Sequence, residues 1–137
     1  MENEDLRQRI IESADEYHFV GEDQWSKAIE LEPTDEESVF EFLRLVRAAL
    51  LYYARAYLVL DMVETDDSQG LENLLELVGE QEEEFADFFE KNEVEQTLDE
   101  DGNADFSRVF SIGESVRALL LQHSNQLAAT LHQRFPA

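Results

Sequence analysis

The chain has 137 residues and carries 33 acidic against 10 basic side chains, a formal net charge of -23. Such a charge repels nucleic acids and anionic membranes, so direct binding to either is not expected. The sequence contains no cysteine, which excludes disulfides, thiolate nucleophiles and zinc–cysteine sites.

The length predicts a single domain, 1–137, and the N-terminus reads Met-Glu-Asn-Glu-Asp rather than a secretion signal. The longest apolar run, Ala48–Leu60, is interrupted by Arg55 and is too short to cross a bilayer. We therefore expect a cytoplasmic protein that does not bind membranes.

The charge is unevenly distributed. Residues 1–105 carry 32 acidic and 7 basic side chains, whereas residues 106–137 carry one acidic and three basic ones. An acidic body of this kind attracts basic proteins and cations. The same charge would also keep a protein soluble in a salt-rich cytoplasm, so charge alone does not decide the function.

Helical spacing of apolar residues, with few glycines and prolines, predicts an all-α protein. Two N-terminal helices are expected within 1–33, separated by a turn at Gly21 and ended by Pro33. These helices would cover a groove formed by the rest of the chain.

A long central helix is predicted for 34–64. Thr34 and Glu37 fit a capping box at its start, and no breaking sequence follows until Thr65. Within it, Ala48–Leu60 is apolar on nearly every face. This segment is therefore buried either as the centre of the fold or against a second copy in a homodimer.

An acidic helix is predicted for 68–91, followed by an acidic loop, 92–105, and a C-terminal helix, 106–135. Because the expected connections are short, these elements predict a single-domain antiparallel helical bundle of four to five helices, three of them long.

One face of the 68–91 helix carries six carboxylates spaced by three or four residues: Glu72, Glu76, Glu80, Glu83, Asp87 and Glu90. Like charges at this spacing destabilise a helix by about 0.2–0.5 kcal/mol per pair, so the row costs stability. A rigid row of charges also resembles nucleic-acid phosphates. We predict a non-enzymatic interaction protein, of the inhibitor, immunity, chaperone or nucleic-acid-mimic type, that presents this face to a basic protein partner.

The run Arg117-Ala118-Leu119-Leu120-Leu121-Gln122-His123 offers an alternative. It resembles the HEPN family of helical bundles, some of which cleave RNA with an arginine followed a few residues later by a histidine. Tyr52-Tyr53-Ala54 and Gly70-Leu71 are also similar to segments of some members. The resemblance implies an RNase or nucleotide-binding module that uses Arg117 and His123. A histidine among leucines equally fits a hydrogen-bonded core residue.

The stretch from Asp99 to Phe110 resembles an EF-hand calcium loop. Oxygen-bearing side chains stand at alternate positions, but Ala104 replaces the turn glycine and Phe110 replaces the closing glutamate. One alternative is a weak calcium site whose ligands are Asp99, Asp101, Asn103 and Asp105. The other is a turn at Gly102 and Asn103, followed by a helix cap at Asp105 or Ser107. No other cofactor is expected.

Overall fold

The structure is a computed structural model that describes residues 2–102 and 104–134. Within these residues the chain forms seven α-helices and no β-strand, which confirms the all-α prediction. Three helices are long: α1 (Glu2–Glu30), α2 (Glu36–Leu60) and α6 (Phe106–Ala129). Four are shorter: α3 (Leu71–Gln81), α4 (Glu83–Lys91), α5 (Val94–Thr97) and α7 (Leu131–Arg134). None of the described helices is both long and apolar enough to cross a membrane.

The N-terminal region forms one helix, so the predicted turn at Gly21 is wrong. Gly21 lies inside α1 and is buried against α2. A Cβ atom at this position would lie 3.3 Å from the Tyr53 ring and 3.4 Å from the Ala49 carbonyl oxygen. The glycine therefore lets two helices approach closely, and no change of chain direction requires it.

The start of α2 is a capping box, one residue later than the sequence indicated. Asp35 is the N-cap and its Oδ1 accepts a hydrogen bond from the Ser38 backbone N–H at 2.8 Å. The Asp35 backbone N–H donates in return to Ser38 Oγ at 3.1 Å. This reciprocal pair replaces the predicted pair of Thr34 and Glu37. At the other end, the helix stops at Leu60 because Met62 adopts a left-handed backbone with φ 60°.

Helix α2 lies at the centre of the fold. Every residue from Tyr53 to Leu58 is buried, as is Leu60, and α1, α3 and α6 of the same chain all contact this helix. Burial within one chain accounts for the apolar character of Ala48–Leu60, and the homodimer stays a prediction. The arginine in this run, Arg55, is buried and bonds Asp67 Oδ1 at 3.1 Å and the Asp66 carbonyl at 3.3 Å. It thereby anchors the connector 61–70.

The helices run in mixed directions. Contacts between α1 and α2 pair residues in opposite chain order: Tyr17 with Tyr52 and Gly21 with Ala49, while Ile10 shares an apolar cluster with Leu60. Contacts between α2 and α6 pair residues in the same order: Phe42 with Phe106, Val46 with Gly113, and Tyr53 with Arg117. A wholly antiparallel bundle is therefore not confirmed.

The predicted 68–91 helix is divided in two. Glu82 has an extended backbone, φ -146° and ψ 130°, and α4 then runs back along α3 so that Ala86 lies beside Gly79. The break is compensated by side-chain contacts, because Glu82 Oε2 lies 2.6 Å from His123 Nδ1 and accepts a hydrogen bond from the Tyr57 hydroxyl at 3.3 Å. A continuous helix would also have aligned more like charges.

The 92–105 segment, expected to be a loop, contains α5 and buries Val94 and Leu98 in the core. Arg47 of α2 holds this segment in place. Its guanidinium donates to the Leu98 carbonyl and lies 3.0 Å from Glu100 Oε1 and 2.7 Å from Glu72 Oε1. The arginine therefore attaches both α3 and the acidic segment to the central helix.

Gly113 and Gly79 are both helical glycines with different surroundings, and substitution by alanine should have opposite effects. A Cβ at Gly113 would lie 2.8 Å from Val46 Cγ1, whose residue is fully buried. Overpacking of about 1–3 kcal/mol exceeds the helix-propensity gain of about 1 kcal/mol, so Gly113→Ala should lower the free energy of unfolding. At Gly79 the atom nearest to an added Cβ would be 3.5 Å away, so Gly79→Ala should raise the free energy of unfolding. Urea denaturation measures both variants, and a gain of stability in both would contradict this packing.

Candidate functional site

A groove with acidic walls lies between α3 and the α4–α5 segment. Its volume is about 570 Å³. We call it the acidic groove and define it by ten lining residues: Glu72, Leu75, Glu76, Gly79, Glu80, Ala86, Phe89, Glu90, Val94 and Glu95. The groove exists because the chain breaks at Glu82 and returns along α3.

Four of the six carboxylates predicted to bind a partner line this groove: Glu72, Glu76, Glu80 and Glu90. The other two, Glu83 and Asp87, are exposed on α4 but do not line it. Glu95 of α5 lines the groove and was missed, because the sequence indicated a loop there. The predicted single row of charges is thus replaced by two facing rows.

The carboxylates of the groove differ in whether a basic side chain of the protein forms an ion pair with them. Glu72 is paired with Arg47. In the described parts of the chain, no ion pair involves Glu76, Glu80 or Glu90. Spacing of four residues places the Glu72, Glu76 and Glu80 charges on one side of α3, where they repel one another. These walls therefore attract cations.

The floor of the groove is apolar. Leu75 and Val94 are buried there, and Phe89 is partly buried beside Ala86. Concave sites of this size combine apolar contact with a few polar groups that fix orientation. The arrangement suits a ligand that offers both positive charge and an apolar side chain.

Arg117 belongs to a separate cluster at the junction of α1, α2 and α6. Its Nη2 lies 2.6 Å from Glu22 Oε1 and its Nε donates to the Tyr53 hydroxyl at 2.9 Å. Tyr53 in turn donates to Glu22 at 2.6 Å. The guanidinium carbon also lies 5.3 Å from the Trp25 ring centroid, within cation–π range.

The pKa values in this cluster follow from burial and from these bonds. Burial raises the pKa of Glu22, but hydrogen bonds from Tyr53 and Arg117 outweigh it, and the pKa lies below its ordinary value. Burial, followed by the bond to Glu22, raises the pKa of the Tyr53 hydroxyl. Tyr53 is therefore a stable donor, and the three groups form one closed charge-assisted network.

His123 makes different contacts. It is buried, its Nδ1 lies 2.6 Å from Glu82 Oε2, and its Nε2 lies 3.0 Å from Glu84 Oε2. The Phe85 ring packs against the imidazole at a centroid distance of 4.6 Å. Arg117 and His123 thus have separate partners, and no bond recorded among the described residues joins them.

The stretch resembling an EF-hand uses two of its predicted ligands in backbone contacts. Asp99 Oδ1 accepts from the Asp101 N–H at 3.0 Å, and Asp105 caps α6 by accepting from the Arg108 N–H at 3.3 Å. Asn103 lies outside the described residues. Within the described residues, no group of three or more His, Asp or Glu side chains is arranged to hold a metal ion. Calcium binding at this stretch stays a prediction.

The closed network at Arg117 should matter more for stability than an exposed ion pair. Replacing Arg117 by methionine removes its bonds to Glu22 and Tyr53 and its cation–π contact, so we expect the free energy of unfolding to fall by about 1–3 kcal/mol. Arg44→Met is the control, because Arg44 and Glu41 pair with side chains 61% and 45% exposed. In Arg44→Met the free energy of unfolding should fall by less than about 1 kcal/mol. Equal losses in urea denaturation would contradict the network's role.

The contribution of Glu22 should depend on pH. A carboxylate whose pKa is depressed in the folded state stabilises the fold at neutral pH, and this stabilisation is lost as the pH falls through the folded-state pKa. The free-energy difference between the wild type and Glu22→Gln should therefore shrink as the pH falls below about 5. Urea denaturation curves of both proteins between neutral and acidic pH measure this difference in the free energy of unfolding. A difference independent of pH would show that the charge of Glu22 contributes nothing.

Comparison with known proteins provides no template: no family model matches the chain, and neither a curated protein nor a solved structure matches it significantly. The function is therefore inferred from the residues and their geometry.

Proposed function

We propose that the chain is a non-enzymatic interaction protein that binds a basic segment of a protein partner in the acidic groove. The observation that carries this proposal is the convergence of uncompensated carboxylates on a concave site with an apolar floor. The acidic walls alone would not indicate a binding site, since acidic faces are commonly only solvated. Together, the acidic walls and the apolar floor match a ligand that carries both positive charge and an apolar side chain.

The ligand that fits is an amphipathic basic helix. Glu72, Glu76 and Glu80 are spaced by four residues, which is about 6 Å along a helix. Lysine or arginine at the same spacing on a partner helix meets them in register. The groove volume of about 570 Å³ accepts one or two side chains and not a whole helix. An apolar residue of the partner therefore enters between Leu75 and Phe89, while the helix lies across the carboxylate walls.

The negative charge of the chain would affect both the association rate and the affinity for a basic partner. A net charge of -23 accelerates encounter with a basic partner and makes binding weaken as salt rises. The apolar contact supplies the part of the affinity that salt does not remove. A nucleic-acid mimic, an inhibitor and a chaperone would all use this combination, and they differ only in the partner.

The RNase alternative has less support. An RNase of this type needs an arginine and a histidine open to one cleft. Arg117 is bonded to Glu22 and Tyr53, whereas both ring nitrogens of His123 face carboxylates. A chain with this net charge would also repel its RNA substrate.

The position of the site is tested with a synthetic probe. The probe is a labelled helical peptide of about 16 residues with lysine at every fourth position and leucine on the adjacent face. Glu76→Lys/Glu80→Lys should weaken its binding by about tenfold or more, because both charges lie in the groove. Glu83→Lys/Asp87→Lys is the matched control, since it changes the net charge equally on the same acidic segment outside the groove. It should weaken binding by no more than about threefold.

Two further comparisons complete this test by fluorescence anisotropy. A peptide with glutamine in place of leucine should bind more weakly, and its binding should be lost entirely at high salt. Circular dichroism melting checks that each variant remains folded. If both double variants lose affinity equally, net charge alone attracts the peptide and the groove is not the site.

A further inference from the structure

His123 makes a pair of contacts that requires two protons on its ring. Nδ1 lies 2.6 Å from Glu82 Oε2 and Nε2 lies 3.0 Å from Glu84 Oε2. An ionised carboxylate only accepts hydrogen bonds, and a neutral imidazole has only one N–H to donate. Both contacts are therefore favourable together only when the ring is the imidazolium cation. A neutral ring would turn a nitrogen lone pair toward one of the two glutamates.

Other ionisable groups lie around Glu82. On α2, the Tyr57 hydroxyl donates to Glu82, and burial followed by the charges of Glu82 and Asp61 raises the pKa of that hydroxyl. Burial also raises the pKa of Asp61, which the charge of Arg134 from α7 opposes. No charged residue lies within one turn of His123 on α6 itself. The imidazolium is therefore the cation that directly meets Glu82 and Glu84.

The two glutamates are placed where α3 passes into α4. Glu82 is the extended residue between the two helices, and Glu84 lies in the first turn of α4. His123 thus fastens this junction to α6 from outside the two helices that form the groove walls. The same junction is where α4 turns back along α3 to form the acidic groove.

We propose that His123 is a proton-operated latch: as the imidazolium it holds the α3–α4 junction against α6, and loss of its proton releases one glutamate and loosens the junction. The regulation of the acidic groove by this latch rests on the proposed function, whereas the latch itself does not. Stability at the junction is present when the ring is charged and is lost as the pH rises.

The latch is tested without any ligand by NMR at about pH 5 and about pH 8.5, which bracket ordinary histidine titration. Ring ¹⁵N shifts report the protonation of His123, and hydrogen-exchange protection factors report the stability of amides 82–86. In the wild type, protection should fall about tenfold or more at high pH, with the same midpoint as the ring. In Glu84→Gln the amide can donate to a neutral ring, so protection should remain high at both pH values.

Two variants serve as controls. His123→Gln should show low protection at both pH values, and His132→Gln, whose residue is exposed on α7, should behave like the wild type. Should His123→Gln fail to fold, Glu84→Gln carries the test because its side chain is 62% exposed. Protection in the wild type that does not change with pH, or a fall in Glu84→Gln as large as in the wild type, would overturn the latch.

The link to the groove is tested with the same lysine–leucine peptide. Its affinity for the wild type should be about fivefold or more higher at the lower pH, and its affinity for Glu84→Gln should be the same at both. If the amides respond to pH and the affinity does not, the latch does not regulate the groove. If the peptide binds at neither pH, the proposed function fails, and the latch is judged by the amides alone.

Discussion

A central helix that the rest of the chain covers along much of its length must find partners for its polar side chains, and this constraint organises the molecule. Four polar residues of α2 each bond a different acidic segment. Arg47 meets Glu72 and Glu100, Tyr53 meets Glu22, Arg55 meets Asp67, and Tyr57 meets Glu82. Because a buried polar group without a partner costs about 1–3 kcal/mol, these bonds fix where each acidic segment lies. The acidic body is thereby attached to a hydrophobic centre.

The same constraint divides the carboxylates into two classes. Those that meet α2 or α6 have a structural use, and they include Glu22, Glu72, Glu82, Glu84 and Glu100. Those on the groove walls, Glu76, Glu80 and Glu90, have no ion-pair partner in the part of the chain that the structure describes. Uncompensated like charges reduce stability without an evident structural gain. Because these carboxylates converge above an apolar floor, we attribute the loss of stability that they cause to a role in binding.

Much of the fold could be predicted from the sequence, since helical periodicity determines the class, the central helix and most of the C-terminal helix. The helix predicted for 106–135 ends at Ala129, and the short helix α7 follows after Thr130. What could not be predicted depends on tertiary contacts. Gly21 reads as a turn locally, and only its approach to Tyr53 explains why the helix continues. Glu82 is one acid among several, and only its bonds to His123 and Tyr57 explain why the helix breaks there. The groove follows from that break.

For the same reason, the sequence indicated four of the carboxylates that line the acidic groove but not the shape of the groove. The spacing of Glu72, Glu76 and Glu80 is readable from one helix. Their position opposite Glu90 and Glu95 is not, because it requires the chain to reverse at Glu82. Long-range pairs such as Arg117 with Glu22 leave no local pattern at all.

The most direct measurement of the central claim is an amide chemical-shift map of the ¹⁵N-labelled protein titrated with the lysine–leucine peptide. Binding in the acidic groove predicts the largest shifts at Leu75, Gly79, Ala86, Phe89 and Val94, the residues on its floor. Shifts spread evenly over the exposed acidic surface, including the outer face of α1, would contradict it, because they would show that the peptide is held by net charge and not by a site.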